Sequence, residues 1–234
     1  MSFHSKPHHM LFRKAKPSEK ELHQKVSYSQ SGEDLIIDFF FTARKIDKPS
    51  YIDIGAYHPY KISNTALFYE KGSRGIIIEP NPDGFEKFTK YRPEDTNLNI
   101  GIGNEESVLA YYSMNSPTLN TFSEEEAKRY EEKGSARIEK VIDVQVKTLT
   151  YVLEQYNKSV FPDFLSLDVE GWDYQILESL KQFQTTPKLV CVETYSYTEG
   201  YIYKERFDNL MKELGYTIYG TTTINTIYVK NELF

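Results

Sequence analysis

With one cysteine in 234 residues, Cys191, the chain has no internal disulfide framework and no cysteine-rich zinc site. Its neighbours Leu189, Val190 and Val192 place that thiol in a buried strand, where it serves as small apolar packing. Positive charge is also short: 28 Lys and Arg against 34 Asp and Glu leave a net charge of −6. That balance excludes a broad basic footprint, so a nucleic-acid partner is not expected. No apolar run approaches the ~20 residues that span a bilayer. The polar, His- and Lys-rich N-terminus lacks the apolar centre of a secretory signal. A soluble, cytoplasmic protein with no integral membrane segment is the expectation. Tryptophan occurs once, whereas tyrosine occurs 19 times and phenylalanine 14 times. Tyrosine covers apolar surface while offering a hydroxyl, a combination that suits polyol ligands.

Residues 1–26 mix Lys, His, Pro and Ser without periodicity and read as a flexible arm. Residues 27–234 then form one domain. A first helix follows Ser31, with Leu35, Ile36, Phe39 and Phe40 at helical spacing and Glu33 and Asp34 in its first turn. Strand runs at 51–55, 75–79, 97–102, 163–169 and 188–193 are nearly continuous apolar stretches, as in sheets covered on both faces. Helical segments at 64–71, 83–91, 148–156 and 173–183 alternate with them, which predicts a parallel, doubly wound α/β sheet. After a last amphipathic helix stopped by Gly215, the runs 216–220 and 224–229 predict an antiparallel pair at the sheet edge. Residues 108–147 break the alternation. They hold a polar loop, a charged helix at 124–133 opened by a Ser123/Glu126 capping box, and a strand at 141–146. An insertion there has the character of a lid over substrate.

The chemistry-bearing pattern begins at Tyr51–Ala56, where an apolar strand runs into Asp53 and Gly55; 26 residues after Asp53, a second strand ends in Glu79. Such a glycine permits a sharp turn, and an acid closing the next strand can accept both ribose hydroxyls of a nucleoside. The G-x-G-x-x-G and P-loop fingerprints are both missing, so a pyrophosphate has no cradle. A nucleoside without phosphates fits better, and S-adenosylmethionine is the common one. Asp168 and Glu170 close the strand 163–169, and Glu193 closes the next. These acids face the crevice beyond the carboxyl ends of the strands, where they suit proton removal or, for Asp168 and Glu193, a Mg²⁺ or Mn²⁺ ion. His58, stiffened by Pro59, is a further candidate base. Ser63, Asn64 and Thr65 read as a helix N-cap whose amides can receive a carboxylate.

Six motifs stand in an order and spacing that resembles the FkbM-type methyltransferases: residues 28–34 (YSQSGED), 53–59 (DIGAYHP), 63–65 (SNT), 75–81 (GIIIEPN), 119–122 (LNTF) and 163–171 (DFLSLDVEG). The resemblance spans about residues 27 to 230. It implies a Rossmann-like methyltransferase fold with a mostly parallel seven-stranded sheet, an antiparallel last strand and helices on both faces. It also implies S-adenosylmethionine as methyl donor and a hydroxyl acceptor on a carbohydrate or another small molecule. The cofactor-binding residues it implies are Gln30, Glu33, Asp53, Gly55, Ala56, Asn64, Thr65, Glu79, Pro80, Asn81, Ile100, Gly101 and Asp168, with Asn99 beside the last three near adenine and the reacting end. Asp168, Glu170 and His58 are the expected catalytic residues, and Asp168 and Glu193 the expected metal ligands. Trp172 departs from the family pattern after Glu170-Gly171, so acceptor identity does not carry over. A secondary-metabolite acceptor, a cofactor- or glycan-binding module without turnover, and a nucleotide-sugar oxidoreductase are the rival readings. A homodimer is left open.

Overall fold

The computed structural model describes Glu19 and residues 23–169, 171–195 and 200–234. Most of the expected arm, residues 1–18 and 20–22, and the expected catalytic Glu170 lie outside the described residues.

Asp34 gathers the chain that precedes its helix. Its carboxylate accepts from the Ser27 hydroxyl (2.6 Å), the Tyr28 amide (2.7 Å) and the Ser29 hydroxyl (2.9 Å). The first helix, α1 (Glu33–Ala43), is followed by β1 (Tyr51–Ile54), α2 (Ala66–Glu70), β2 (Gly75–Ile78), α3 (Pro82–Tyr91) and β3 (Thr96–Leu98). Next come β4 (Gly101–Ile102), β5 (Ser107–Met114), α4 (Glu124–Glu132) and β6 (Ile138–Lys147). The chain ends with α5 (Leu149–Tyr156), β7 (Phe164–Leu167), α6 (Asp173–Glu178), β8 (Leu189–Glu193), α7 (Tyr201–Glu213), β9 (Tyr216–Thr221) and β10 (Asn225–Lys230).

Seven strands form one sheet in the order β3-β2-β1-β7-β8-β10-β9. Pairings from β3 through β8 are parallel, and β10 runs antiparallel between β8 and β9. This is the mostly parallel sheet with an antiparallel last strand that was expected. Alternation along each strand sorts the core into two layers. Ile52, Ile54, Ile76, Ile78, Leu165 and Val190 pack on α5, α6 and α7, while Tyr51, Ile77, Phe164 and Cys191 pack on α1, α2 and α3. Cys191 is fully buried there, and burial pushes its thiol well above the ordinary range, as packing rather than nucleophilic chemistry requires.

The expected strand 97–102 is instead two strands in two sheets. Thr96–Leu98 pairs with β2, whereas Gly101–Ile102 pairs with β6 in a second sheet ordered β4-β6-β5. Asn99 marks the break: its amide donates to the Glu79 carbonyl (2.8 Å) and the Pro80 carbonyl (3.0 Å), tying the turn to the end of β2. Helix α6 is shorter than expected and passes into a 3₁₀ turn over Ser179–Gln182. The capping box at α4 is half made. Ser123 Oγ accepts from the Glu126 amide (3.2 Å), but the Glu126 carboxylate pairs with Arg129 instead of reaching back. The helix also has a small apolar contact, Ala127, which is fully buried with Met114 and Ala136.

Candidate active site

Four carboxylates follow one another across four neighbouring strands: Glu79 after β2, Asp53 on β1, Asp168 after β7 and Glu193 at the end of β8. Neighbouring strands lie about 4.8 Å apart, so the rank is roughly 14 Å long. All four line one cleft of about 1340 Å³, together with Gln30, Gly55, Ala56, Asn64, Pro80, Asn81, Ile100 and Gly101. That volume exceeds the roughly 300–1,000 Å³ of a single small-molecule site and leaves room for a second substrate.

Gly55 makes the floor continuous. It has φ +77°, and a Cβ there would stand 1.8 Å from the Asp168 carbonyl oxygen. The residue after β1 therefore brings the ends of β1 and β7 into direct contact, a close approach within the protein itself. Glu79 is buried, and both its oxygens accept backbone amides, from Tyr57 (2.6 Å) and Asn81 (2.8 Å). Burial pushes its pKa up to about 7 against those bonds, with Asp53 adding repulsion and Lys87 opposing it. Tyr57, at φ 59°, and Ile62, at φ 56°, each take a left-handed backbone conformation that non-glycine residues rarely adopt.

Asp53 is buried beside the cleft, and burial raises its pKa. Its Oδ2 accepts the Thr65 hydroxyl at 2.6 Å. Thr65 in turn accepts from Arg92 Nη1 (3.0 Å), which is fully buried and whose Nε and Nη2 bond Asp95 and the Tyr51 hydroxyl, both at 2.9 Å. Asp168 opens to the solvent that fills the cleft, yet protein walls surround it on the other sides. That partial desolvation, with Asp173 nearby, raises its pKa, and a hydrogen bond with Glu193 opposes the rise. Asp173 clamps the loop beneath: its carboxylate accepts the amides of Val169 (3.0 Å) and Gly171 (3.2 Å).

The far wall comes from the second sheet and the loop between β5 and α4. Phe122 stacks on Trp172 (centroids 6.0 Å, 25° between planes) and meets Tyr111 edge-on at 4.8 Å. A Cβ on Gly101 would come within 2.6 Å of the Phe122 ring, so the absence of a side chain there admits the ring.

Three expected site residues do not face this cleft. His58 turns its Nδ1 to the amides of Tyr60 and Lys61 (both 3.1 Å); its pKa is lowered by burial and then by Lys87 and Lys61. It is a turn-stabilising neutral imidazole and is not among the residues that line the cleft. Glu33 is buried behind the sheet, bonded to Thr222 (2.7 Å), Asn225 (3.0 Å) and the Ser31 amide (2.8 Å). Thr65 stands one layer behind Asp53. Nor do Ser63–Thr65 offer an open N-terminus, because Ser63 Oγ accepts the Ala66 amide (3.1 Å) and the helix spans only Ala66–Glu70. The expected metal pair has little support: Asp168 and Glu193 are only two donors, and among the described residues no group of three or more His, Cys, Asp or Glu is gathered around one point.

Sequence reasoning missed Arg92, Asp95 and Asp173. Asp173, two residues after Gly171, carries a readable signal as a loop-closing Asx residue. Arg92, in Tyr91-Arg92-Pro93, carries none, since a charged residue at a helix end is ordinarily exposed.

The four acids suit a cationic ligand. They crowd one another, burial raises three of them, and a positive group between them relieves both costs. This donor set fits the sulfonium and ammonium groups of S-adenosylmethionine. The methyltransferase FkbM domain model matches residues 53–218. No curated protein matches the chain. Among solved structures it is similar to a TehB-like SAM-dependent methyltransferase from Corynebacterium glutamicum, with 10% identity and TM-score 0.42 over 86% of this chain and 88% of that one. It is also similar to the methyltransferase domain of bacterial CtHen1-C (11%, TM-score 0.39, 85% and 98%). A third is the T. thermophilus 16S rRNA N2 G1207 methyltransferase RsmC, solved with AdoMet and guanosine (9%, TM-score 0.41, 89% and 44%).

Proposed function

The chain belongs to the FkbM-domain methyltransferases, and on that premise we propose that this S-adenosylmethionine-dependent enzyme transfers the methyl group to a sugar hydroxyl. The observation that carries the reading is the placing of the Asp168 and Glu193 carboxyls at the floor of a cleft whose far wall is aromatic. Bound S-adenosylmethionine supplies a sulfonium-linked methyl, an electrophile that an alcohol attacks well only as its proton leaves. Glu79 would hold the ribose hydroxyls, and Asp53 the cationic amine. Asp168 takes the acceptor proton, and its raised pKa makes it a better base than an ordinary carboxylate. Glu193 orients Asp168 through their shared hydrogen bond. Tyr111, Phe122 and Trp172 offer faces for the C–H side of a sugar ring, and Tyr174, Tyr195 and Tyr203 bring further rings and hydroxyls to the same cleft. A polyanionic acceptor is disfavoured by the net charge of −6.

The test is incubation with labelled S-adenosylmethionine and a panel of free, nucleotide-linked and polymeric glycans, with the methyl located by NMR. Asp168→Asn should lower kcat about 10²- to 10⁴-fold, the usual worth of a general base. Affinity for S-adenosylhomocysteine should be retained. Wild-type turnover by that variant would remove Asp168 from the chemistry, and methyl found only on nitrogen or carbon would reject the hydroxyl acceptor.

A further inference from the structure

Behind the cleft floor lies a buried hydrogen-bond chain that the chemistry above does not use. Arg92 is fully enclosed, and each of its three nitrogens is engaged: Nε on Asp95 Oδ2, Nη2 on the Tyr51 hydroxyl, and Nη1 on Thr65 Oγ1 (3.0 Å) and the Pro59 carbonyl (3.4 Å). Tyr51 passes its own hydrogen to Asp95 (2.7 Å), which also accepts the Gly75 amide (2.8 Å). A guanidinium can only donate, so Thr65 must receive the Arg92 hydrogen on its oxygen and aim its single hydrogen at Asp53 Oδ2, 2.6 Å away. The polarity of the chain is thereby fixed from end to end.

Its charge is also unbalanced. Arg92 is matched by Asp95, so each time Asp53 ionises it adds one unmatched negative charge at the cleft edge. We propose that Arg92 is a positioning residue for the cofactor: acting through Thr65, it fixes the direction in which Asp53 is offered to the ammonium end of the methionyl tail. The inference rests on the S-adenosylmethionine reading. Burial raises the Asp53 pKa, and Thr65, Arg92 and Ser166 all act against that rise, so the relay pulls the carboxyl toward the form that attracts a cation.

Thr65→Val breaks the relay without emptying the space, and Thr65→Ser keeps the hydroxyl. Binding is read by calorimetry with two nucleosides: S-adenosylhomocysteine, which carries the amino-acid tail, and 5′-deoxy-5′-methylthioadenosine, which lacks it. Thr65→Val should weaken the first about ten- to hundredfold, the worth of a lost hydrogen bond to a charged group, and leave the second unchanged. Thr65→Ser should restore wild-type affinity for both. Equal losses on both ligands, or a Thr65→Val protein that binds S-adenosylhomocysteine as wild type does, overturns the relay. A wild-type protein that binds neither nucleoside refutes the cofactor reading, and the relay with it.

Discussion

Glu79 makes the cleft floor sensitive to pH in a direction opposite to most acids. An ordinary carboxylate in a folded protein gains partners and its pKa falls; burial at the end of β2 instead lifts Glu79 from 4.5 to about 7. The folded state therefore prefers the protonated form. Stability from this group is fully present below about pH 4.5 and is lost as pH climbs through about 7. The whole rise corresponds to about 3 kcal/mol, and the part falling between about pH 5.5 and pH 8.5 to about 2 kcal/mol. Glu79→Gln removes the titration but keeps the shape. The Gln amide can accept only one of the two N–H groups now bonded by the carboxylate, from Tyr57 and Asn81, so a pH-independent cost of about 1–3 kcal/mol is added. Urea unfolding of both proteins across that range isolates the effect. The wild type should lose about 2 kcal/mol more than the variant on going from the acidic to the alkaline end. Ligand binding should show the reverse trend, since an ionised Glu79 is the better acceptor for ribose hydroxyls, and S-adenosylhomocysteine affinity should fall below about pH 7. Parallel stability curves for wild type and variant would refute the reasoning, because the burial of Glu79 would then have no energetic consequence.

Gly55→Ala places a methyl 1.8 Å from the Asp168 carbonyl oxygen on a backbone with φ +77°. Left-handed strain and overpacking together should cost about 2–5 kcal/mol, lowering Tm by roughly 5–15 °C, and an unchanged melting curve would show that β1 and β7 do not meet there. Trp172→Ala removes the stack on Phe122. Acceptor KM should rise up to about tenfold while S-adenosylhomocysteine affinity stays put, and steady-state kinetics with varied acceptor would detect a failure of that separation.

The floor was readable because strand ends announce themselves. An apolar run closed by an acid gives both the element and the place of its last side chain, and so the sequence itself points Asp53, Glu79, Asp168 and Glu193 to one rim, the cleft that all four line. Side-chain direction was not readable. Glu33 sits within a motif, yet its partners are Thr222 and Asn225, nearly two hundred residues away in sequence. His58 looked like a base because imidazole is one, but the backbone turn at Tyr60 and Lys61 claims its free nitrogen. The break after Leu98 was hidden as well, since Ile100 and Ile102 continue the alternation that suggests one strand while Asn99 turns the chain toward another sheet. Arg92 shows the limit most plainly: its burial depends on Tyr51, Thr65 and Asp95 arriving from separate elements.

Floor and wall belong to different sheets, and that division bears on how the cleft can distinguish its two occupants. The acids stand on strands whose other residues fill the two main core layers, so moving one carboxylate disturbs packing on both sides of the sheet. The wall rests on the β4-β6-β5 sheet; its Phe122 meets Trp172, which follows β7 of the main sheet, and its Lys140 pairs with Asp83 at the start of α3. Phe122 belongs to neither main core layer, so a substitution there changes the shape offered to an acceptor at little cost to the core, whereas Trp172 packs against the layer that holds α5, α6 and α7. The carboxylate rank, by contrast, is bound to the sheet order itself. Trp172 lines the cleft where the two meet, so one side chain borders both the carboxylate floor and the aromatic wall.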